Sequence, residues 1–390
     1  MNIECGQSKT MSISASKNYD LAVIGGGVVG LWCAYLGAKA GLKIALFEAN
    51  TIASGASGGL LGALMPHMPT QWYEKKQFQF EALIDLEPFA QQLEAESGID
   101  CGYARVGRIL PLSLPEHEIE AKQKCDAAAI QWARPNRNYE MRTVKKPTHP
   151  NWPHEDVMPH GATIDNFSAR INPRGVTSAL LRCISDKVDI LENSPVELQA
   201  DKSLKMPDGG HIIARDIIVT AGLNSFDLLQ PFVPSLSGRP IKGQAAMLDT
   251  KLDPQLPVVH QAGVYLIVHN DGRTAVGSTS EREFEDGHTT DHLLEEVIEK
   301  ARRICPLVGN APVVERWASL RMQPYGRDPL VGPVPEHEGL HICTGGFKIT
   351  FGIAHRMAAA VLAPIIGNPA LEMPPSFQVE NRVNHIFPRT

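Results

Sequence analysis

Apolar positions come first as a short unbroken run. YDLAVIGG, residues 19–26, reads as a buried parallel strand ended by glycine. VVGLWCAYLGAKAG, residues 28–41, continues as a helix of about three turns stopped by Gly41. KIALFEA, residues 43–49, is a second buried run, so the three pieces form a βαβ unit with a right-handed crossover. Small and polar residues then take over at 50–67, NTIASGASGGLLGALMPH, which predicts loop. Residues 74–97 read as helix, 131–160 as irregular connection rich in Pro, Asn and His, and GVTSALLRCISDK as helix again. RDIIVTAGLNS reads as a strand entering a turn, and IKGQAAMLD, GVYLIVHN and RTAVGSTS as short β runs. An amphipathic helix follows at 291–304, then a strand in APVVERWASLRM, and a last helix from about Thr350 to Ile366 after GLHICTGG. No internal repeat or low-complexity tract interrupts this order. A β-rich middle set among α/β pieces predicts a dinucleotide domain interrupted by insertions.

At 390 residues the chain can bury a large core and divide into two domains. Its charged fraction of 21% and hydrophobic fraction of 43% are those of a water-soluble enzyme. A net charge of −6 opposes a general grip on nucleic acid, which needs clustered cations. Seven cysteines (Cys5, Cys33, Cys101, Cys125, Cys183, Cys305 and Cys343) are scattered without a C-x-x-C, which suits free thiols in a reducing compartment and gives no metal site. Residues 1–17 carry no apolar signal core and read as a loose extension, and no run of eighteen apolar residues is present. The expected location is the cytoplasm.

The fingerprint glycines in IGGGVVG are Gly25, Gly27 and Gly30. Gly25 suits the tight strand-to-helix turn, Gly27 the approach of a pyrophosphate, and Gly30 close packing of helix on sheet. Glu48, eighteen residues beyond Gly30, stands where a carboxylate meets the adenosine ribose hydroxyls. The long flexible loop after Glu48 favours a flavin dinucleotide over a nicotinamide, and no second G-x-G-x-x-G is present to bind a reducing nicotinamide. GASGG matches a nucleophile-elbow pattern at Ser57, but an elbow needs a strand directly before the serine. Ser57 lies in loop, so a hydrolase is disfavoured.

RWASLRMQPYGRDPLVGPV and GLHICTGGFKITFGIAHRMA, taken with NPRGVTSALL, IIVTAGLNS, RPIKGQ and VYLIVHNDGRTAVGSTSE, resemble the D-amino-acid oxidase superfamily of FAD-dependent oxidoreductases, and within it the glycine oxidase and sarcosine oxidase branch. The resemblance covers nearly the whole chain. It implies an α/β, two-domain fold in which a Rossmann-like FAD-binding domain (18–72, 170–235 and 325–375) is interrupted by a substrate-binding domain (73–169 and 236–324). The latter would carry a mixed, largely antiparallel sheet. It further implies FAD contacts at Gly25, Gly27, Val28, Val29, Gly30, Glu48, Ala49, Ser54, Gly58, Gly59, Leu60 and Val196. A second group of contacts follows at Gly346, Phe347, Lys348, Ile349 and Thr350.

By the same resemblance Arg321 is the substrate-carboxylate arginine, assisted by Tyr265 and Lys348. A guanidinium fork matches a carboxylate bidentately. The implied reaction is oxidation of a small amino acid or secondary amine acid (glycine, sarcosine, a D-amino acid or a D-proline type) by hydride transfer to flavin N5, giving an imino acid. That reaction needs orientation and an electron sink more than a protein base, so His67, His337, His341 and His355 are assigned to surface or packing. The helix from Thr350 would direct its positive end at the flavin. No cysteine lies between Pro306 and Ile342, so the expected FAD is non-covalent. Gly326 and Gly346 depart from the family pattern, which has Asp and His there. Oxygen or another electron acceptor, a homo-oligomer and a dehydrogenase partner subunit are left open. Two alternatives share parts of the pattern: an FAD oxidase acting on carboxymethylaminomethyl-uridine in tRNA, and the catalytic subunit of a multi-subunit amino-acid dehydrogenase.

Overall fold

A computed structural model describes residues 18–383; the extension read at 1–17 lies outside the described residues. The first apolar run forms the strand Asn18–Ile24, the helix α1 is Val28–Lys39, and the second run forms Ile44–Phe47. These strands pair in parallel, Leu21 opposite Ile44 and Ile24 opposite Phe47. On the other flank Asn18–Ile24 pairs in parallel with His211–Val219, which pairs with Leu340–Thr344. Val188–Leu191 and the antiparallel Leu330–Pro333 complete the row. Both sheet faces are covered, Ile44 and Leu46 by the core under the crossover helix and Ala45 and Phe47 by a second core on the other side, so every residue of Ile44–Phe47 is buried.

Four helices share the crossover face: α1, α2 (Glu74–Ser97), α4 (Pro173–Ile184) and α7 (Thr350–Ile365); α3 (Glu116–Gln131) falls between α2 and α4 in the chain. α1 packs on both α4 and α7, and α2 packs on the same pair. α2 lies within the segment 73–169, yet its buried residues Phe80, Leu83 and Leu86 join one core with Leu31, Trp32 and Met357. The short helix α5 (Ser225–Leu229) belongs to the core on the opposite face, beside Phe47, Val219 and Ile342. Asn172 caps α4 by accepting hydrogen bonds from the amides of Arg174 and Gly175, with Pro173 at the first helical position.

The second sheet has the order Val313–Pro324, Gly238–Leu248, Thr274–Gly277, Val264–Val268, Val258–Gln261, Arg108–Pro111, Ala162–Asp165 and Met141–Val144. Among the described residues its only parallel pair is Val258–Gln261 with Arg108–Pro111, so the sheet is mixed and largely antiparallel as expected. The helix α6 (His292–Ile304), capped by Asp291, covers one face through Leu294, Val297, Ile298 and Ala301. Two departures from the sequence reading stand out. α3 falls in a stretch for which the sequence reading named no element, because only Ala121 and Ala128 of its sixteen residues are buried and no apolar stripe marks it. The irregular 131–160 contains one ordered strand, Met141–Val144.

Candidate active site

The glycine turn is constrained by packing. Gly25 has φ +113°, in the region that favours glycine, and a side chain there would meet the backbone of Thr220 at 2.7 Å. A Cβ on Gly30 would lie 1.9 Å from the Gly25 carbonyl oxygen, so Gly30 is where helix and strand touch. Gly27 is the N-cap of α1 and has no side chain to offer, which leaves the first-turn amides facing outward. The exception is the Val28 N–H, which donates to Ser57 Oγ at 2.9 Å. The Ser57 hydroxyl thus braces a helix start, and the strand that an elbow needs is absent before it. Glu48 sits at the end of its strand, its carboxylate accepting from the amides of Gly26 (2.8 Å) and Asn50 (2.9 Å).

A cavity of about 640 Å³ begins at this turn. Gly25, Gly27, Val28, Val29, Glu48, Ala49 and Ser54 line it, followed by Gly59, Leu60 and, from another strand connection, Val196. At the far end it reaches Tyr265, Arg321, Gly346, Phe347, Lys348, Ile349 and Thr350. Two expected contacts are placed otherwise. Gly30 is buried in the helix–strand crossing, and Gly58 turns its carbonyl to Arg174 Nε at 2.9 Å; neither is a wall residue. The wall also contains His288 and Trp317, which the sequence reading did not assign to a site. Trp317 stands in the RWASLRM stretch four residues before Arg321, and its ring edge would contact a Cβ on Gly59 at 3.4 Å.

Arg321 projects from the strand Val313–Pro324, opposite Ile241. Its Nη2 donates to the Thr279 carbonyl at 2.6 Å and its Nη1 to Ser278 Oγ at 3.3 Å, while Nε has no partner. Among the described residues no ion pair joins Arg321 to a carboxylate, so it is a half-buried cation held by neutral groups. Burial lowers its pKa, opposed by Tyr265 and Glu281. Phe347 lies beside it, the guanidinium carbon 5.8 Å from the ring centroid, and Lys348 Nζ stands at the same distance from that ring. Phe347 itself has φ +50°, an uncommon state for a bulky residue. Burial, then the Arg321 charge, push the Lys348 pKa down. Tyr265 stacks on His260 across the hairpin, centroids 4.2 Å apart, and burial raises its hydroxyl pKa.

The four histidines assigned from the sequence to surface or packing lie in such places. His341 meets Asp216 at 2.9 Å, His355 is buried against Trp32 and Phe89, and His337 meets Phe232 edge-on. His67 is buried enough that its pKa falls to about 4. No group of His, Cys, Asp and Glu among the described residues is arranged to hold a metal ion.

The cavity suits an extended dinucleotide: a helix N-terminus with an unadorned glycine cap, a carboxylate at the next strand end, and a long wall of small residues. The family of FAD dependent oxidoreductases (DAO) matches the chain over residues 20–360. This chain belongs to that family. The flavoprotein is 26% identical to glycine oxidase from Bacillus licheniformis over 364 residues, covering 90% of this chain and 94% of that one. It is 28% identical to glycine oxidase from Pseudomonas aeruginosa over 346 residues, 84% of this chain and 89% of the other. The fold is that of glycine oxidase from Geobacillus kaustophilus, with TM-score 0.83 at 21% identity, over 93% of this chain and 99% of that one. The oxidoreductase therefore uses FAD. Among the described residues no helix is long and apolar enough to cross a membrane.

Proposed function

We propose that this oxidoreductase oxidises a small amino acid or secondary amine acid, of the glycine, sarcosine, D-amino acid or D-proline type, to the corresponding imino acid. The observation that carries the reading is Arg321: a half-buried guanidinium at the cavity wall, unpaired with any described carboxylate and flanked by Lys348 and Tyr265. A cation kept out of water without a counter-ion is costly unless an anionic ligand supplies one. A substrate carboxylate does so, and the planar fork fixes its orientation. The glycine oxidase relatives, aligned over most of their length, support the amine class.

Gly27, Val28 and Val29 would hold the pyrophosphate of FAD and Glu48 the ribose, while Phe347 to Thr350 would lie along its ring system. FAD when bound supplies the two-electron sink. The protein's part would be positional: Arg321 and Tyr265 would anchor the carboxylate, and Leu60 and Trp317 would keep water from the reacting carbon. The positive end of α7, which opens onto the cavity at Thr350, would favour negative charge on a bound flavin. No base is assigned, because the amine reacts neutral and its α-hydrogen leaves with its electrons. No described cysteine lines the cavity, which supports non-covalent FAD.

The test is anaerobic mixing of the yellow holoenzyme with glycine, sarcosine, D-alanine and D-proline, followed by absorbance near the flavin bands. Bleaching by at least one of them is expected. Failure of all four, together with salt-sensitive binding of tRNA, would replace this reading with oxidation of a nucleic-acid appendage.

A further inference from the structure

We propose that Lys242, Gly243 and Gln244, the centre of the RPIKGQ stretch, form a positioning device for Arg321. The proposal rests on Arg321 acting as the carboxylate clamp.

The strand Gly238–Leu248 pairs antiparallel with Val313–Pro324, placing Ile241 opposite Arg321. Side chains alternate faces along a strand, so residue 243 shares the face of residue 241 and of Arg321, while residues 242 and 244 point the other way. A Cβ on Gly243 would lie 2.3 Å from Arg321 Nη2 and 2.4 Å from Cζ. The guanidinium therefore rests on the bare backbone of Gly243. That glycine has no positive φ, so close approach, not turn geometry, is what calls for it.

On the opposite face Lys242 and Gln244 are buried, 2% and 0% exposed. Lys242 Nζ donates to Asp291 Oδ2 at 2.7 Å and lies 3.7 Å from Glu281 Oε2. Gln244 Nε2 donates to Glu281 Oε1 (2.9 Å) and to Asp291 Oδ1 (2.8 Å), and its Oε1 accepts from the Asp291 amide (2.8 Å). Both Nε2 hydrogens and the Oε1 of the Gln244 side chain are thus bonded to the segment 278–291. The backbone continues the pattern. The Lys242 and Glu281 amides each donate to the other's carbonyl at 3.0 Å, and the Gln244 amide donates to Thr279 Oγ1 at 2.9 Å. The hydrogen bonds from Gln244 and Lys242 hold the Asp291 carboxyl down at about 2.

The segment held in this way carries the acceptors of Arg321: the Thr279 carbonyl and the Ser278 hydroxyl, joined by the Lys242 carbonyl at 3.4 Å. Arg321 is fixed between a seat (Gly243) and a strap (278–291), and Lys242 and Gln244 fasten the strap. A buried ionic network loses much of its value when one partner is removed, because the others stay buried unpaired. Loosening it would let the fork tilt, and orientation is what a bidentate contact depends on.

The probe is acetate, a carboxylate without an oxidisable amine, titrated into FAD-loaded enzyme and followed through the flavin absorbance. Melting temperature, flavin content, kcat and KM for the carboxylated amine turned over fastest are measured alongside. Gly243→Ala and Asp291→Ala are expected to weaken acetate about tenfold and to raise KM more than they lower kcat, with flavin content kept, as displacement of a binding group by a fraction of an ångström would do. Asp291→Asn, which keeps an acceptor oxygen for Lys242 and Gln244, should recover most of the loss. If Gly243→Ala does not fold, the Asp291→Ala and Asp291→Asn pair decides. Unchanged acetate affinity in the folded variants, while Arg321→Ala abolishes it, would overturn the positioning device and leave the clamp standing. Unchanged acetate affinity in Arg321→Ala itself would overturn the clamp, and the device with it.

Discussion

At one end the cavity wall is made of backbone, and at the other of side chains. The first end consists of the Gly25–Gly30 turn, the first amides of α1 and the strand-end Glu48, all within about thirty residues of one another. The second gathers Tyr265 from one strand, Arg321 from another, and Phe347 and Lys348 from the turn before α7. The two ends tolerate change differently. A backbone wall depends on residues being small, so any added atom damages it. A side-chain wall depends on charge and direction, so its variants should fold yet bind poorly. The second end also carries an electrostatic cost: burial lowers the proton affinity of the half-buried Arg321, and the Arg321 charge adds to desolvation in lowering that of Lys348. An anionic ligand relieves that cost; an uncharged one does not.

The sharpest way to break this contrast is Gly30→Ala. The new methyl would sit 1.9 Å from the Gly25 carbonyl, so helix and strand must separate. We expect a loss of about 3 kcal/mol or more in stability and colourless protein, by the scale of overpacked cores. Calorimetry and flavin absorbance check it. A normal melting temperature with full flavin content would mean that the first end is as forgiving as the second.

Arg321→Ala should show the opposite signature: normal melting and flavin content, with kcat/KM for a carboxylated amine lowered about a hundredfold, roughly 3 kcal/mol of transition-state binding. Arg321→Lys should recover only part, since an ammonium has no planar fork. A matched amine without the carboxylate should lose little. Equal losses on both amines would show that Arg321 is structural.

A smaller effect is expected at the boundary between the two kinds of wall. Glu48→Gln keeps the side chain's shape and an acceptor for one amide but weakens the charge-assisted contact, so FAD affinity should fall about tenfold. Equilibrium dialysis of the apoprotein with FAD measures it, and an unchanged constant would remove Glu48 from the cofactor's binding groups.

The smallest effect concerns His260 behind Tyr265. Burial first, then the charges of Arg108 and Lys348, lower its pKa to about 4. A histidine whose folded pKa lies below its unfolded value near 6.5 takes up protons more readily when unfolded. Stability should therefore fall as pH drops from about 6.5 towards 4 and level off below that. His260→Gln should flatten this part of the melting-temperature profile. A profile identical to the parent's would show that His260 is not among the groups responsible.

The sequence by itself determined the βαβ unit, the helix limits at Glu74–Ser97 and near Thr350, and the fingerprint glycines, because each leaves a local pattern of apolar spacing and glycine placement. The pattern is local even where the contact that requires it, as of Gly25 with Thr220, is distant. The family motifs also pointed to Arg321, Tyr265 and Lys348, and the structure brings all three to one cavity. It could not show that Gly30 and Gly58 stand behind the wall, that Ser57 caps α1, or that His288 reaches the cavity. Nor could it show the seat under Arg321, where Gly243 and Arg321 are 78 positions apart in the sequence. α3 escaped because a helix buried at only two alanines leaves almost no apolar period to detect. Local pattern records which face of an element is buried. Only the closing of one sheet against the other decides what that face meets, because those contacts depend on strand order and register and not on spacing along the chain.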